Sequence, residues 1–465
     1  MSNEAIMSAR EVREWRPEAP QSSRTGALRA AHEAMCGAGC GGSDQQMGQR
    51  WPIGCVALEI TQRCNLDCTA CYLSEHSEAV RDLPVDEIYK RIDRIFEYYG
   101  AKTDVQVTGG DPTLRNHDEL VAIVRRIVER GLRPTLMTNG IKASAELLGR
   151  LAQAGLVDVA FHVDTTQERK GYHCERDLNP LRKAYMDNAR AAGLSVMFNT
   201  TLHEGNFHEV PDLVRFFREN ADCVRTAAFQ LLADTGRGVW RSRGEAITMA
   251  SAIAKIEQGA GTRIGFDVSR IGHPACTQYG LTLCAGQDTI NLFDEPEFIA
   301  RLQAASADLV LERNAPLVTL GRAWRWALSH PGIALSAVAW LGRKLPKVAA
   351  AWLKHPGTLS TLSFTVHDFM DAAALERERI CACVFKVMTA EGPVSMCLHN
   401  AKRDAYILQP LPMGEAVWDP LAGRAVAQVQ LRPPPQPAAH PLKRVKGRTR
   451  QQLLAQRRAT KEARL

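Results

Sequence analysis

Long hydrophobic runs are absent from this chain of 465 residues. Its longest apolar run, residues 333–341, is far shorter than the roughly 20 residues that a membrane-spanning helix needs. The N-terminal residues also lack the apolar core of a signal peptide, so we expect a cytoplasmic protein. In the cytoplasm the 13 cysteines should be reduced thiols, and metal binding is then favoured over a disulfide framework.

Acidic residues are nearly missing from residues 441–465, where nine lysines and arginines accompany one glutamate. This surplus of eight exceeds the net charge of +7 for the whole chain, so the remainder is close to neutral. A proline-rich stretch, 433–440, precedes it, which indicates a disordered basic tail over 431–465. We favour a solvated tail over contact with nucleic acid or anionic lipid.

The signatures of several common enzyme classes are missing as well. No phosphate-binding Walker loop, no Rossmann fingerprint with its acidic partner and no nucleophile–base pair stands out. The sequence therefore does not favour a nucleotide hydrolase, a dinucleotide-dependent enzyme or a nucleophilic hydrolase.

Short apolar stretches alternate with amphipathic stretches of helical period from residue 56 to residue 256. The helix predicted over 83–100, for example, places Ile88, Ile92 and Ile95 on one face. Such alternation predicts a parallel sheet with right-handed crossovers, here an α/β fold of the partial (β/α)6 TIM-type barrel class. The predicted strands are 56–60, 105–108, 134–137, 157–163, 194–200 and 226–232, and the predicted helices are 83–100, 120–128, 143–154, 180–192, 208–219 and 246–256.

A polar cluster follows each of the six predicted strands. The first is a cysteine triplet, and TGGDPT, MTNG, VDTT, NTT and ADTGRG follow in turn. Because the loops after the carboxyl ends of parallel strands meet on one side of the sheet, these clusters predict an active face.

The pattern changes after residue 261. Residues 263–284 are turn-rich, residues 316–365 form a basic, tryptophan-bearing helical region, and residues 380–400 are typical of a hairpin with a glycine-containing turn. We therefore predict four parts: a flexible N-terminal extension over 1–53, a core barrel over 54–261, a C-terminal α+β region over 262–430 and the tail over 431–465.

Three cysteines lie within eight residues: Cys64, Cys68 and Cys71, in the spacing C-x3-C-x2-C. A structural zinc or cubane iron–sulfur site normally has four protein ligands, and no fourth Cys or His lies within a few residues. Three thiolates can hold three corners of a [4Fe–4S] cluster and leave one iron open for another ligand. A structural zinc site and three unrelated buried thiols are the alternatives.

The triplet, followed by Tyr72, resembles the signature of the radical S-adenosylmethionine (SAM) superfamily. The segment TGGDPT is similar to the glycine-rich motif of that family, although Asp111 stands where the family usually has glutamate. The resemblance implies a [4Fe–4S] cluster, SAM on its open iron, and reductive cleavage to a 5′-deoxyadenosyl radical that abstracts hydrogen from a substrate. A flavodoxin- or ferredoxin-like protein would supply the electron.

Several cofactor contacts are implied by the same resemblance, and no catalytic residue is assigned beyond the cluster. For Asp164 a capping role is an equal alternative, and Gln230 and Arg237 are candidates for the cavity wall. The implied cofactor contacts are Tyr72, Gly109, Gly110, Asp111, Asp164 and Asn199.

Later motifs, among them FNTTLHEGN, GHPAC and the segment 367–397, resemble the tetraether-lipid synthase and pterin-methylase-like group of the superfamily. That group carries further iron or iron–sulfur sites. The matching positions imply an auxiliary cluster in the C-terminal region, with ordinary buried cysteines as the alternative. The implied ligands are Cys276, Cys381, Cys383 and Cys397, with Cys284 as a spare.

The group also commonly has a Cys-x2-Cys metal site ahead of the barrel. This chain instead has Cys36 and Cys40 with three residues between them, and a lone Cys55. We therefore assign no ligands there, and the extension holds at most a vestigial metal site.

The group resemblance implies C–C coupling or methyl transfer on a lipid-like substrate. Residues 316–354 combine tryptophans with six lysines and arginines and no acid, which favours peripheral membrane contact; helices packed on the core are an equal alternative. A radical SAM enzyme that modifies a peptide or small molecule is the second hypothesis. A non-catalytic iron–sulfur electron-transfer protein is the third.

Overall fold

The computed structural model describes residues 6–19, 26–39, 45–50, 53–74, 76–235, 243–269, 271–309 and 316–428. The predicted basic tail, Cys40 and Arg237 lie outside these residues. The first elements are helices α1 (Ala9–Glu14) and α2 (Gly26–Gly37) and a two-stranded antiparallel ribbon of β1 (Gln45–Gln46) and β2 (Gln49–Arg50).

Six strands then alternate with helices, and we call them the sequential strands. They are β3 (Cys55–Thr61), β4 (Asp104–Gly109), β5 (Arg133–Thr138), β6 (Asp158–His162), β7 (Ser195–Leu202) and β8 (Val224–Leu231). Each pairs in parallel with the next, so their order in the sheet is their order in the chain. The parallel α/β core that the sequence predicts is confirmed.

The helices that connect these strands follow the predicted positions within a few residues. Asn116 begins α4 by accepting hydrogen bonds from the amides of Asp118 at 2.9 Å and Glu119 at 3.2 Å, and Ser144 caps α5 in the same way. The connecting helices are α3 (Val85–Tyr99), α4 (His117–Glu129), α5 (Ala145–Gln153), α6 (Asn179–Ala191) and α7 (Val210–Glu219), and α8 (Met249–Ala260) follows β8.

Five further strands, which we call the added strands, extend the same sheet at both ends. They are β9 (Thr277–Ala285), β10 (Asp288–Asn291), β11 (Ser360–Asp368), β12 (Phe385–Met388) and β13 (Pro393–Ser395). Strand β11 pairs in parallel with β8, and β12 pairs in parallel with β3. The outer strands are antiparallel, and the sheet order is β10-β9-β11-β8-β7-β6-β5-β4-β3-β12-β13.

Two sequence-based assignments hold only in part in this region. The segment 263–284, expected to be turn-rich, ends in β9, and the segment 316–365, expected to be helical, contains α10 and α11 but ends in the start of β11. The sequence STLSFTVHD alternates, with Leu362, Phe364 and Val366 fully buried, which is the period of a strand. The hairpin predicted within 380–400 is confirmed as β12 and β13, and Gly392 adopts a positive φ of 146° between them.

The remaining elements surround this sheet. Helices α9 (Pro296–Ala305), α10 (Pro316–Ser329) and α11 (Pro331–Lys354) lie between β10 and β11 in the chain, and α12 (Arg377–Cys381) precedes β12. Among the described helices, none combines the length and the hydropathy that a membrane crossing requires. The chain continues with α13 (Met396–Ala401), α14 (Arg403–Ile407) and a three-stranded antiparallel sheet of β14 (Leu411–Met413), β15 (Ala416–Asp419) and β16 (Arg424–Val426).

One hydrophobic core joins the sequential and the added strands. It includes Val56, Leu58 and Val105 of the former together with Leu362 and Phe364 of the latter, all fully buried. Strand β3 is buried along its whole length, as expected for a strand in the middle of a parallel sheet. The C-terminal region therefore completes the sheet that holds the predicted active face.

Candidate active site

A cavity of about 200 Å³ opens at the carboxyl ends of the sequential strands. Residues at the ends of all six strands line it, as the positions of the polar clusters predict. The C-terminal region contributes four more lining residues. The polar and cysteine residues of the lining include Glu59, Cys64, Cys68, Cys71, Tyr72, Gln106, Thr108, Thr138, Asn139, His162, Gln167, Asn199, Thr201 and Gln230, and the C-terminal region adds Phe369, Val387, Met396 and Asn400.

The three cysteines of the triplet all line this cavity and are partly buried. They lie on the loop between β3 and α3, and neighbouring strand ends hold that loop in place. The amide of Thr69 donates to the carbonyl oxygen of Thr166 at 2.8 Å. The side-chain amide of Asn139 donates to Asn65 Oδ1 at 2.6 Å and contacts Cys64 Sγ at 3.9 Å. The loop is thus fixed by residues after β5 and β6.

Gly109 and Gly110 also line the cavity, at the end of β4. A Cβ on Gly109 would lie 1.9 Å from the carbonyl oxygen of Thr61, and one on Gly110 would lie 2.0 Å from that of Arg63. The amide of Gly110 donates to Thr61 at 2.9 Å and that of Asp111 donates to Arg63 at 2.7 Å. The absence of side chains therefore lets the glycine loop pack directly on the backbone that leads into the cysteine loop.

Tyr72 connects the cysteine loop to the glycine loop. Its hydroxyl donates to the carbonyl oxygen of Gly109 at 3.1 Å, and the Arg403 guanidinium lies 4.6 Å from the centre of its ring. Burial raises the pKa of Tyr72 well above its usual value, so the hydroxyl remains protonated and able to donate. The tyrosine lines the cavity, where the sequence predicts a cofactor contact.

Asp111, expected at the cofactor, lies behind the cavity wall and is completely buried. Its carboxylate accepts hydrogen bonds from the amide of Thr113 at 3.0 Å, from the hydroxyl of Thr138 at 2.9 Å and from the amide of Asn139 at 2.8 Å. It therefore ties the loop after β4 to the loop after β5.

Asp164 is also completely buried and is absent from the cavity lining. It begins the 3-10 turn Thr165–Gln167 and accepts from the amides of Thr166 at 3.0 Å and Thr201 at 2.7 Å. The structure thus matches the capping alternative. Its Oδ2 lies 2.8 Å from Nε2 of His162, and this pairing holds the pKa of Asp164 below its usual range although burial acts in the opposite direction.

Two of the weaker predictions do place side chains at the cavity. Asn199 and Gln230 both line it, and the amide of Asn199 contacts Met137 Sδ at 3.1 Å. His162, for which the sequence predicts no role, lines the cavity beside Asn199 and Gln230. Burial would lower its pKa, but the neighbouring Asp164 raises it overall, so the imidazole is stabilised in its charged form.

An ion pair at the cavity wall was not predicted. Glu59, near the end of β3, pairs with the fully buried Arg403 of α14, and Gln62 Nε2 donates to Glu59 at 2.9 Å. Burial would raise the pKa of Glu59, but Arg403 and His399 outweigh it and hold the pKa below its usual value. A charged residue within the apolar strand sequence CVALEIT was the available signal, although its partner lies 344 residues away.

A second group of cysteines lies in the C-terminal region, away from the cavity lining. Burial raises the pKa of Cys397 well above its usual value, and the nearby thiols of Cys383 and Cys276 add to this effect. Burial likewise raises the pKa of Cys276 to about 11, against the influence of Arg379, whose Nε donates to Cys276 Sγ at 3.2 Å. Three of the four expected auxiliary ligands are therefore neighbours.

The other cysteines lie in varied surroundings. Cys381, the fourth expected ligand, is exposed, whereas Cys55 is buried, and burial raises its pKa well above the usual value. Cys284 is buried in β9, where Thr282 contacts its sulfur at 3.6 Å. Cys36 is exposed, with its sulfur 3.6 Å from His32 Nε2.

The donor chemistry of the cavity fits an iron–sulfur cluster better than a single ion. Within the ranges that the structure describes, no three His, Cys, Asp or Glu side chains gather closely enough to hold one metal ion. In a cubane cluster each thiolate binds a different iron, so its sulfur donors are spread further apart. Cys64, Cys68 and Cys71 around one cavity meet that requirement in number and type.

Fold and site together define a parallel α/β protein with a cysteine-lined cavity at the carboxyl edge of its sheet. Residues 58–217 match the family described as the Radical SAM superfamily, so the chain carries a radical SAM domain. This superfamily uses a [4Fe–4S] cluster and SAM, as the sequence resemblance implies.

The curated proteins that are similar to this chain include a dimethyltransferase and a peptide cyclase, which are enzymes of different reactions. The chain is 31% identical over 187 residues to 7,8-dihydro-6-hydroxymethylpterin dimethyltransferase of Methanocaldococcus jannaschii, a match covering 39% of this chain and 36% of that one. It is 30% identical over 179 residues to PqqA peptide cyclase of Bradyrhizobium diazoefficiens, covering 38% and 46%. The chain thus spans less than half the length of these relatives.

Among solved structures, the crystal structure of Streptococcus suis SuiB bound to precursor peptide SuiA is similar at a TM-score of 0.33 and 14% identity. The alignment covers 44% of this chain and 46% of that one. A similarity of this size carries no argument about the substrate of this chain.

Proposed function

We propose that this protein is a radical SAM enzyme that activates a C–H bond of its substrate. One observation carries the proposal: the three cysteines in C-x3-C-x2-C spacing and the glycine loop after β4 line the same cavity. We propose further that the sequential strands form the partial (β/α)6 barrel expected from the sequence. The carboxyl ends of such strands are where barrel enzymes hold their active sites.

The protein's own residues have defined tasks in this proposal. A [4Fe–4S] cluster held there and reduced by a flavodoxin- or ferredoxin-like donor would supply the electron for the cleavage of SAM into methionine and a 5′-deoxyadenosyl radical. Cys64, Cys68 and Cys71 would hold three corners of that cluster. The backbone at Gly109 and Gly110, together with Asn199, offers the polar atoms that a SAM molecule needs in the same cavity.

The cavity wall favours an apolar substrate. Apolar side chains come from the cysteine loop, from β5 and the end of β8, and from the C-terminal region, and they would exclude water from the position of a reactive radical. They are Leu66, Leu73, Met137, Leu231, Leu232, Phe369, Val387 and Met396. A lipid-like substrate, modified by C–C coupling or methyl transfer, fits this lining; a peptide or small molecule is the alternative.

Product analysis tests the proposal. Anaerobic reconstitution with iron and sulfide, followed by dithionite and SAM, should yield 5′-deoxyadenosine. The variant Cys68→Ser should lose this product to below about a thousandth of the original rate because the cluster loses one of three ligands. The matched variant Cys174→Ser, outside the cavity, should keep it. A fully loaded cluster that leaves SAM intact would rule the enzyme out.

A non-catalytic iron–sulfur electron carrier is the second candidate. Such a carrier would hold its cluster on Cys276, Cys383 and Cys397, which lie outside the cavity lining, and would need no SAM. In such a carrier, SAM should leave the paramagnetic resonance spectrum of the reduced protein unchanged. In the enzyme, SAM binding should alter the signal of the cavity cluster only.

A further inference from the structure

Helices α10 and α11 expose the largest set of apolar side chains in the part of the chain that the structure describes. On α10 these residues follow a spacing of three to four, with Leu317 82% and Trp324 67% exposed. On α11 Leu335 and Leu353 are each 71% exposed. We call this set the hairpin face; its members are Leu317, Leu320, Trp324, Leu328, Leu335, Val338, Leu341, Leu345, Trp352 and Leu353.

Helix α11 is apolar on two different sides. One stripe faces the protein, where Trp340 lies 5.9 Å from the ring of Phe298 and Ala351 packs with Ile290. The second stripe recurs every three or four residues through Leu335, Val338 and Leu345 and is exposed. A helix with apolar residues on both sides is expected to be covered on both, so the hairpin face requires a partner outside the described chain.

The charged side chains of α10 and α11 are all of one sign, since every one of them is a lysine or an arginine. Residues 316–354 contain six lysines and arginines and no aspartate or glutamate. Arg343 pairs with Glu295 at 2.6 Å and Lys354 pairs with Asp288 at 3.3 Å, which fastens α11 to the residue before α9 and to β10. Arg325 is exposed and directly follows Trp324, so at 100° per residue it lies on the flank of the apolar stripe of α10, whereas Lys347 is exposed on the side of α11 opposite its outer stripe.

We propose that the hairpin face docks α10 and α11 on the surface of an anionic phospholipid membrane, with both helices lying in its interfacial plane. Exposed leucines and tryptophans beside lysines and arginines are the composition of interfacial helices. The inference goes beyond the proposed chemistry and does not depend on it.

A second copy of the chain is the less suitable occupant. A two-fold dimer through the hairpin face would place the same patch on both sides of the interface. Arg325, on the flank of the hairpin face, would then approach its own copy, and residues 316–354 contain no acidic residue to separate the charges. Anionic lipid headgroups balance this cation, which a second copy cannot do.

Vesicle flotation of the full chain tests the proposal. The protein should float with vesicles of phosphatidylglycerol and phosphatidylcholine, and much less with phosphatidylcholine alone. The double variant Leu345→Glu/Leu353→Glu changes two exposed residues, so the fold should persist while the partition coefficient falls roughly tenfold or more. The matched variant Met413→Glu replaces an exposed apolar residue on β14 and should bind as the original does. Arg325→Gln should lower binding roughly fivefold, whereas Lys347→Gln, on the side of α11 opposite its outer stripe, should change it much less.

Tryptophan fluorescence separates docking by the hairpin face from attraction of the basic tail. The emission should shift to shorter wavelength on anionic vesicles, and Trp324→Phe/Trp352→Phe should remove most of this shift. Unchanged binding of the leucine variant, or binding without the fluorescence shift, would overturn the proposal. So would a dimer that ignores vesicles and that the leucine variant dissociates. Formation of 5′-deoxyadenosine by the leucine variant should remain unchanged.

Discussion

The sequential strands, from residue 55 to residue 231, occupy the sheet in the order of the chain, whereas the added strands do not. Strand β11 inserts between β8 and β9, and β12 lies at the opposite end of the parallel run, beside β3. The first part is thus built from neighbouring βα units and the second from contacts between distant residues. Local patterns can specify the former, but only tertiary packing specifies the latter.

The two parts nevertheless form one site. The sequential strands supply the cysteine and glycine loops, and the C-terminal region supplies Phe369, Met396 and Asn400 to the same cavity. Arg403 reaches from α14 to Glu59 of β3 and to the ring of Tyr72. Substitutions can therefore measure how strongly contacts from the C-terminal region stabilise the site at the ends of the sequential strands.

The largest effect is expected at the ion pair that joins the two parts. Arg403→Met leaves the Glu59 carboxylate buried without its cation, which should cost about 3–5 kcal/mol of unfolding free energy. The loss should appear in urea unfolding followed by circular dichroism. Because Arg403 also covers Tyr72, cluster content after reconstitution should fall as well.

The double variant Glu59→Gln/Arg403→Met provides the control for this experiment. It removes both charges, so it should recover most of the stability that Arg403→Met loses. Equal destabilisation of the single and double variants would show that Arg403 contributes through packing rather than through Glu59.

The second prediction concerns a contact within the sequential strands. Gly110→Ala places a Cβ 2.0 Å from the carbonyl oxygen of Arg63, and backbone must move to relieve the clash. We expect the unfolding free energy to fall by about 3 kcal/mol. The cluster content should fall as well, because Arg63 immediately precedes Cys64. Thermal unfolding and iron content would measure both.

Helix α5 offers a matched glycine for comparison. A Cβ at Gly149 meets no atom within 4 Å, so Gly149→Ala should stabilise the protein by up to about 1 kcal/mol. A Gly110→Ala protein as stable and as rich in iron as Gly149→Ala would contradict the packing described for the two loops.

The third prediction tests the role that the structure gives Asp111. Asp111→Asn replaces one acceptor oxygen with a donor that faces Thr138 or the Asn139 amide, and it should cost about 1–3 kcal/mol. Since the side chain lies outside the cavity lining, the KM for SAM should change less than the unfolding midpoint. A large rise in KM at unchanged stability would instead support the direct contact between Asp111 and the cofactor that the sequence implies.

Sequence patterns predicted the sequential strands, the loops at their ends and the residues Cys64, Cys68 and Cys71 at a shared cavity. Each of these depends on residues close in the chain and on the fixed geometry of βα units. They did not predict β9 or β11, because short alternating stretches pair with strands that are distant in sequence. The sequence patterns also could not distinguish Asp111 and Asp164, which are buried behind the cavity wall, from Asn199, which lines the cavity. Motif position places a residue at a strand end, and only packing decides which way its side chain faces.

The smallest predicted effect compares one histidine from each part of the sheet. Burial lowers the pKa of His367 in β11 to about 4, so its contribution to stability is complete above the unfolded value near 6.5 and is lost as pH falls. At pH 5.5 the unfolding free energy should have fallen by about 1.4 kcal/mol through His367.

For His162 in β6, Asp164 outweighs burial and raises the pKa. The contribution of His162 to stability is therefore present at low pH and is lost as pH rises through that raised value. Urea unfolding of the cluster-free protein at pH 7.5 and 5.5 should therefore show a smaller acid loss for His367→Gln than for the original chain, and a larger one for His162→Gln. Equal pH dependence of the two variants would show that burial and the carboxylate of Asp164 do not set these two histidines apart.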